Sequence, residues 1–228
     1  VYQIENAGQL FWFAALVNGD TNQEDITQAN PAANAVLTTD LDLSGREWAP
    51  IAPSTTFKNN ATTVEDTTNK SYSGTFDGQG HTISNFEIRT NSAELTSGLF
   101  GAVTGIIQNL GVVNVTFNNG GSYDGRFGTL CGLLVKDSST VTAARIENCY
   151  VTGSSILSAS KIAGAIAGAN YGGTIENCFE CGNKVSGHSR IGNLVGDNQN
   201  DASTGTMIGT VTNCYSDTKV VGNQGGKV

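Results

Sequence analysis

Hydrophobic and polar positions alternate in short runs along most of this chain, and Gly, Asn and Asp punctuate the runs. The densest stretch reads Tyr72-Ser-Gly-Thr-Phe-Asp-Gly-Gln-Gly-His-Thr-Ile-Ser-Asn85, then Ser97-Gly-Leu-Phe-Gly101, then Ile107-Gln-Asn-Leu-Gly-Val-Val-Asn-Val115. Period-2 alternation broken by turn residues predicts short strands joined by tight corners. Parts of this stretch recur. One part is a β-branched residue, any residue, Asn and usually an apolar residue: Ile83–Phe86, Ile107–Leu110, Ile146–Cys149, Ile175–Cys178 and Val211–Cys214. The other is a glycine-bracketed apolar step, at Gly98–Gly101, Gly128–Gly132, Gly164–Gly168 and Gly192–Gly196. The five asparagines, Asn85, Asn109, Asn148, Asn177 and Asn213, lie 24, 39, 29 and 36 residues apart. Such uneven spacing predicts a solenoid whose coils share one corner while a loop in each coil varies in length. Asn tolerates the left-handed backbone of such a corner, and stacked amides can bond from coil to coil.

At the start the period changes. Ala7–Val17 places Leu10, Phe13, Ala14 and Val17 on one helical face and ends at Asn18-Gly19. A helix there shields the strand edges of the first coil, so residues 1–70 read as an N-terminal cap region. Within it, one strand is expected over 35–43 with its leucines inward, and a polar loop over 54–70. Residues 71–228 carry the repeats in one continuous domain. All three prolines precede residue 54, as unbroken parallel ladders downstream require. The fold class is therefore all-β: a right-handed parallel β-helix, or β-solenoid, of irregular coils with an N-terminal helical cap. Helical repeats fit poorly, since no long apolar 3.6-residue period follows residue 80.

Composition narrows the partners. A net charge of −8 with 12 scattered Lys and Arg argues against nucleic acid and anionic membranes. No apolar run is long enough to insert in a membrane. The chain opens on Val1 rather than Met, which suggests a processed or trimmed chain.

Together these elements resemble the GLUG-motif repeat proteins. The resemblance rests on the helix with Val17-Asn18-Gly19, Leu41-Asp-Leu-Ser-Gly45, Trp48-Ala-Pro-Ile51, Tyr72–Phe86 and the Asn-Cys-aromatic corners. Ile51-Ala52 departs from the Ile-Gly usual in that family. The resemblance implies a β-helical module of secreted or surface bacterial proteins, adhesins included, with no catalytic residues to transfer.

Candidate chemistry is sparse. Asp40-x-Asp42-x-Ser44-Gly45 imitates half an EF-hand loop, but position 12 is Ile51, not Glu, so a strand end is the better reading. His81 and His188 are the two histidines, and neither has a Cys or carboxylate at ligand spacing. No metal or other cofactor is expected. Cys149, Cys178 and Cys214 share a slot assigned also to Phe86 and Leu110, which marks them as buried thiols. The odd count of five cysteines agrees.

One place beyond the Cys slot, Tyr150, Phe179 and Tyr215 should line up outward, preceded by Glu87 and Gly111. They are the candidate ligand surface, either a strip for stacking sugars or a ladder stiffening the sheet. In the same frame Ser84, Gln108, Glu147, Glu176 and Thr212 form an outward row. Glu147 beside Glu176 is its one paired-carboxylate hint.

The expected function is a non-enzymatic extracellular or cell-surface binding, adhesion or spacer module, taking a host or microbial glycan or a protein ligand. The alternatives are a polysaccharide-acting β-helix enzyme, as pectate lyases are, or a passive stalk. Such an enzyme needs a groove of clustered carboxylates, with Arg or Lys, built by adjacent coils. At the far end, Ile156–Ile162 and Val185–Ile191 lead into glycine steps, and Val220–Val228 matches them with Val228 in the place of Ile162 and Ile191. Further repeats beyond Val228, and end-on self-association through the C-terminal coil, are expected.

Overall fold

The computed structural model describes residues 1–54, 71–89, 95–118, 125–136, 144–157, 162–198, 209–217 and 220–222. The polar loop expected over 54–70 lies outside them from residue 55 on, and so does Val228.

The chain winds into a parallel β-helix of five sheets. The first sheet stacks Tyr2–Ile4, Ala35–Leu37, Thr75–Asp77, Ile106–Gln108, Arg145–Glu147, Thr174–Glu176 and Thr210–Thr212. The second stacks Leu41–Asp42, Thr82–Ser84, Gly111–Val113, Tyr150–Thr152, Phe179–Cys181 and Tyr215–Ser216. Glu47–Trp48, Glu87–Arg89, Thr116–Asn118, Ser155–Leu157, Lys184–Gly187 and Val220–Gly222 form the third. The fourth contains Thr96–Ser97, Arg126–Gly128, Ile162–Gly164 and Arg190–Ile191, and the fifth Phe100–Val103, Cys131–Val135, Ala167–Tyr171 and Val195–Asp197.

Along each strand the residues facing the axis are apolar and buried. Phe76, Ile107, Ile146 and Ile175 form one inward column at 0% exposure, whereas Val211 above them, on the last described coil, is 37% exposed. The segment 35–43 is not one strand. It bends at Thr38–Asp40 and supplies separate strands to the first and second sheets, with Leu37, Leu41 and Leu43 all buried. The cap region therefore holds the helix and also strands of the first, second and third sheets.

The helix spans Ala7–Asn18. Asn6 Oδ1 accepts the amide of Gln9 at 3.0 Å, and Gly19 closes the other end in the left-handed conformation at φ 72°. Leu10, Phe13, Ala14, Leu16 and Val17 are buried, and the Phe13 ring meets those of Tyr72 and Phe76 at about 6 Å. Asn18 ties the helix to the chain it covers: its Nδ2 donates to Pro50 O at 3.0 Å and its Oδ1 accepts Ala52 N at 2.7 Å.

The glycine step is tighter than a corner. A Cβ on Gly128 would lie 2.6 Å from Gly168 N, and one on Gly168 would lie 2.5 Å from Phe127 N. The fourth and fifth sheets thus fold back on each other until their backbones touch, and only glycine fits between them. Their outer faces enclose a second, smaller core of Leu133, Val135, Ile162 and Ala169 beside Tyr171. One coil later charge replaces aliphatic packing there. Asp197 Oδ2 accepts from Arg190 Nη1 at 2.6 Å and from the Tyr171 hydroxyl at 3.0 Å.

Candidate binding groove

The register divides the asparagines into two ladders. Asn109, Asn148, Asn177 and Asn213 turn the chain from the first sheet into the second. Asn85 does not precede them. It belongs to the next corner, between the second and third sheets, stacked under Asn114, whose Nδ2 donates to Asn85 Oδ1 at 2.7 Å. In the coil of residues 106–118 both corners carry the apolar-x-Asn signature, and the matching sequence for Asn85 is Val112-Val-Asn114; Gly153 and Gly182 take that second corner in the later coils. This correction moves other residues. Phe86 leaves the cysteine slot, which holds Leu110, Cys149, Cys178 and Cys214. Asp77 replaces Ser84 in the row with Gln108, Glu147, Glu176 and Thr212. Thr82, not Glu87, stands two places below Tyr150. At the far end Ile162 pairs with Arg190, and Ala163 with Ile191, so those lead-ins align one residue differently.

The corner of Asn85 shapes a groove. Between the paired positions 42/84 and 47/87, the first coil runs through Leu43–Arg46 while the next needs only Asn85-Phe86. The extra residues stand out as a wall. Asp42 Oδ1 builds that wall, accepting the Ser44 amide at 2.9 Å and the Ser44 hydroxyl at 2.6 Å. Gly45 takes the left-handed conformation at φ 74° that completes the turn. The Ser44 hydroxyl and the Asn85 amide together hold the Asp42 carboxyl below the usual carboxylate range.

The groove has a volume of about 380 Å³, and its lining includes Ser44, Arg46, Glu47, Phe86, Glu87, Asn114 and Thr116. Glu47 and Glu87 occupy the same register position on successive coils, one strand spacing of about 4.8 Å apart. Glu87 is half-buried, and its carboxylate has no hydrogen-bond or ionic partner among the described residues. Arg46 lines the same groove, and its guanidinium stands 5.9 Å over the Phe11 ring of the helix. Amides, hydroxyls and carboxylates lining one groove can hold a polyhydroxylated ligand.

The aromatic strip is in register: Gly111, Tyr150, Phe179 and Tyr215 stack in that order. The Tyr150 and Phe179 rings lie face to face, 5.0 Å apart and 6° from parallel. The ring of Tyr150 also occupies the space above Gly111, where a Cβ would meet its Cζ at 2.4 Å. Both faces of Tyr150 are therefore covered by the protein. Phe179 at 42% and Tyr215 at 63% are the exposed members.

Glu147 and Glu176 are neighbours, and one cation bridges them. Arg145 Nη2 reaches Glu176 Oε1 at 2.7 Å, and Arg145 Nε reaches Glu147 Oε2 at 3.4 Å. All five cysteines are free thiols; Cys149 and Cys178 are buried, whereas Cys214, on the last described coil, is partly exposed. Each of the three sulfurs donates to the carbonyl two residues earlier, at 3.1 to 3.2 Å. Burial pushes the Cys131 and Cys149 thiols far up. Asp40 Oδ1 accepts the Thr82 amide at 2.9 Å and holds the His81 ring at 3.2 Å, so it pins strand ends together. No group of three metal-ligating side chains occurs among the described residues.

No family model matches the chain, and no curated protein matches it. Among solved structures the chain is similar to a candidate immunoglobulin A1 protease from Bacteroides ovatus, at 19% identity and a TM-score of 0.53. The match covers 100% of this chain and 78% of that one. At this identity the likeness shows the parallel β-helical fold.

Proposed function

We propose that this chain is a non-enzymatic, extracellular or cell-surface binding module, and that its ligand is a glycan seated in the groove of Ser44, Glu87, Asn114 and Thr116. The observation that carries this reading is the half-buried Glu87 carboxylate, which lines a cleft of ligand size and has no hydrogen-bond or ionic partner among the described residues. Sugar hydroxyls would supply that donor, while the amides and Thr116 offer both donors and acceptors. The aromatic strip supports a sugar platform less well, because Tyr150 and Phe179 stack on each other and Gly111 backs Tyr150, which leaves Tyr215 as its most exposed ring.

The carboxylate pair of the enzyme reading, Glu147 and Glu176, is engaged on both members by Arg145, so neither stands as a free acid or base. A proteolytic reading, which the name of the structural neighbour invites, finds no support at His81, whose side-chain partner is Asp40 rather than a hydroxyl or thiol.

A glycan array probed with three proteins tests the proposal. Wild-type protein and Tyr215→Ala should bind the same sugars, while Thr116→Trp, which fills the groove from an exposed strand position, should lose them. Binding lost in Tyr215→Ala and kept in Thr116→Trp would move the site to the aromatic strip. Release of new reducing ends from any bound polysaccharide would replace the binding reading with an enzymatic one.

A further inference from the structure

We propose that the sulfurs of Cys178 and Cys214 hold a soft, two-coordinate cation, Cu(I), between adjacent coils. The two cysteines belong to a column in which Leu110, Cys149, Cys178 and Cys214 follow one another, one coil apart. The corners that precede them, at Asn148, Asn177 and Asn213, have φ of 53°, 53° and 52°. Each sulfur then makes the same two contacts. Cys149 Sγ lies 3.2 Å from Glu147 O and 3.8 Å from Ile107 O. Cys178 Sγ lies 3.1 Å from Glu176 O and 3.7 Å from Ile146 O, and Cys214 Sγ 3.2 Å from Thr212 O and 3.7 Å from Ile175 O. Matching contacts require matching rotamers. The sulfurs therefore form a row with parallel Cβ–Sγ bonds, one strand spacing of about 4.8 Å apart.

That geometry decides among the reactions open to paired thiols. A disulfide brings its sulfurs to about 2 Å and turns its two Cβ–Sγ bonds by roughly 90°, and parallel bonds in register do neither. Tetrahedral zinc needs ligands that converge on one point. A row does not converge, and no group of three metal-ligating side chains occurs among the described residues. A linear cation needs only two facing sulfurs. Two metal–thiolate bonds of about 2.3 Å, placed end to end, span roughly 4.6 Å and so match the spacing of the row. Soft thiolates select Cu(I) over harder ions.

The surroundings accept the exchange of protons for metal. Two S–H bonds break, two S–Cu bonds form, two protons leave to water, and the pair keeps one negative charge. The carbonyls that lose the S–H contacts stay satisfied, because Glu176 O and Thr212 O already accept the amides of Asn148 and Asn177 at 3.1 Å. The Cys149 thiol lowers that of Cys178 in spite of its burial. Cys214 is partly exposed, which gives the ion a way in and lets water offset the charge, whereas Cys149 is buried.

Anaerobic titration with Cu(I), in competition with a bidentate Cu(I) chelator, tests the site. Wild-type protein should take up one Cu(I), with a sulfur-to-copper charge-transfer band and release of two protons. Cys178→Ala and Cys214→Ala should each lose it, while Cys131→Ala, Cys149→Ala and Cys181→Ala should keep it. Zn(II) should bind wild-type protein no better than Cys178→Ala. Melting curves without metal show whether the variants fold. A second measurement needs no variant: Cu(I) should block labelling of Cys214 by a thiol reagent and spare Cys181. Uptake by Cys178→Ala equal to wild type overturns the proposal. So does loss of uptake in Cys149→Ala, and so does labelling of Cys214 that Cu(I) leaves unchanged.

Discussion

Asn109, Asn148, Asn177 and Asn213 each hold φ near 53°, a conformation that costs most L-residues roughly 1–2 kcal/mol. Asn accepts it more readily because its short amide can bond locally, and here it also bonds vertically. Asn148 Nδ2 donates to Asn109 Oδ1 at 3.1 Å, and Asn109 Nδ2 donates to Asp77 Oδ1 at 3.0 Å. Backbone tolerance and amide bonding can be separated by substitution at Asn109. Asn109→Gly keeps the backbone freedom and loses both amide bonds, one of them to a carboxylate, so it should cost roughly 2–3 kcal/mol. Asn109→Ala loses both and should cost roughly 1–2 kcal/mol more than Asn109→Gly, measured as the shift in a urea midpoint at constant slope. Equal losses in the two variants would show that backbone strain plays no part at this corner.

At the scale of elements, the glycine step decides how the fourth and fifth sheets meet. A Cβ on Gly164 would sit 2.3 Å from Ala167 O and 2.6 Å from Gly196 N, and neither backbone atom can rotate aside. Gly164→Ala should therefore cost about 3 kcal/mol, the upper range for overpacking, or leave the protein insoluble. Gly182 is the control. It has φ 65° but open space around its Cβ, so Gly182→Ala should cost only the local strain of roughly 1–2 kcal/mol. Thermal melts of the two variants check the contrast, and similar melting temperatures would refute the fold-back as the reason for glycine. The helix needs no such contact to form. Its Asn6 and Gly19 caps are local, and its apolar face then finds the open end of the first coil.

At the scale of the whole molecule, burial orders the thiols. Cys131, Cys149 and Cys178 line the closed interior, while Cys214 lies on the last described coil and Cys181 points outward from the second sheet beside Asp217. The Asp217 carboxylate accepts from the Cys181 sulfur at 3.2 Å and raises that thiol above its ordinary value, while burial raises Cys214. Under native conditions a thiol reagent should label at most two cysteines, Cys181 and Cys214. The other three should react only after unfolding. Rapid labelling of Cys149 in the native protein would show that the coil stack opens readily.

Local chemistry alone determined much of this protein. Period-2 alternation, corners made by Asn and Gly, the capped helix and the inward cysteine slot were all legible, because each depends on a few neighbouring residues and on backbone preferences. The in-register order of Tyr150, Phe179 and Tyr215 was legible too, since the three follow identical corners. Ladder membership was not. Ile83-Ser-Asn85 and Ile107-Gln-Asn109 look alike, yet they turn different corners of their coils, and pairing across coils of unequal length decides which corner each one turns. The strand bend at Thr38–Asp40 and the back-to-back glycines likewise follow from contacts with neighbouring coils. So does the groove, whose walls come from residues 44–47, 85–87 and 114–116 of three successive coils. A parallel solenoid places such distant segments one strand spacing apart, and only the tertiary register says which segments those are.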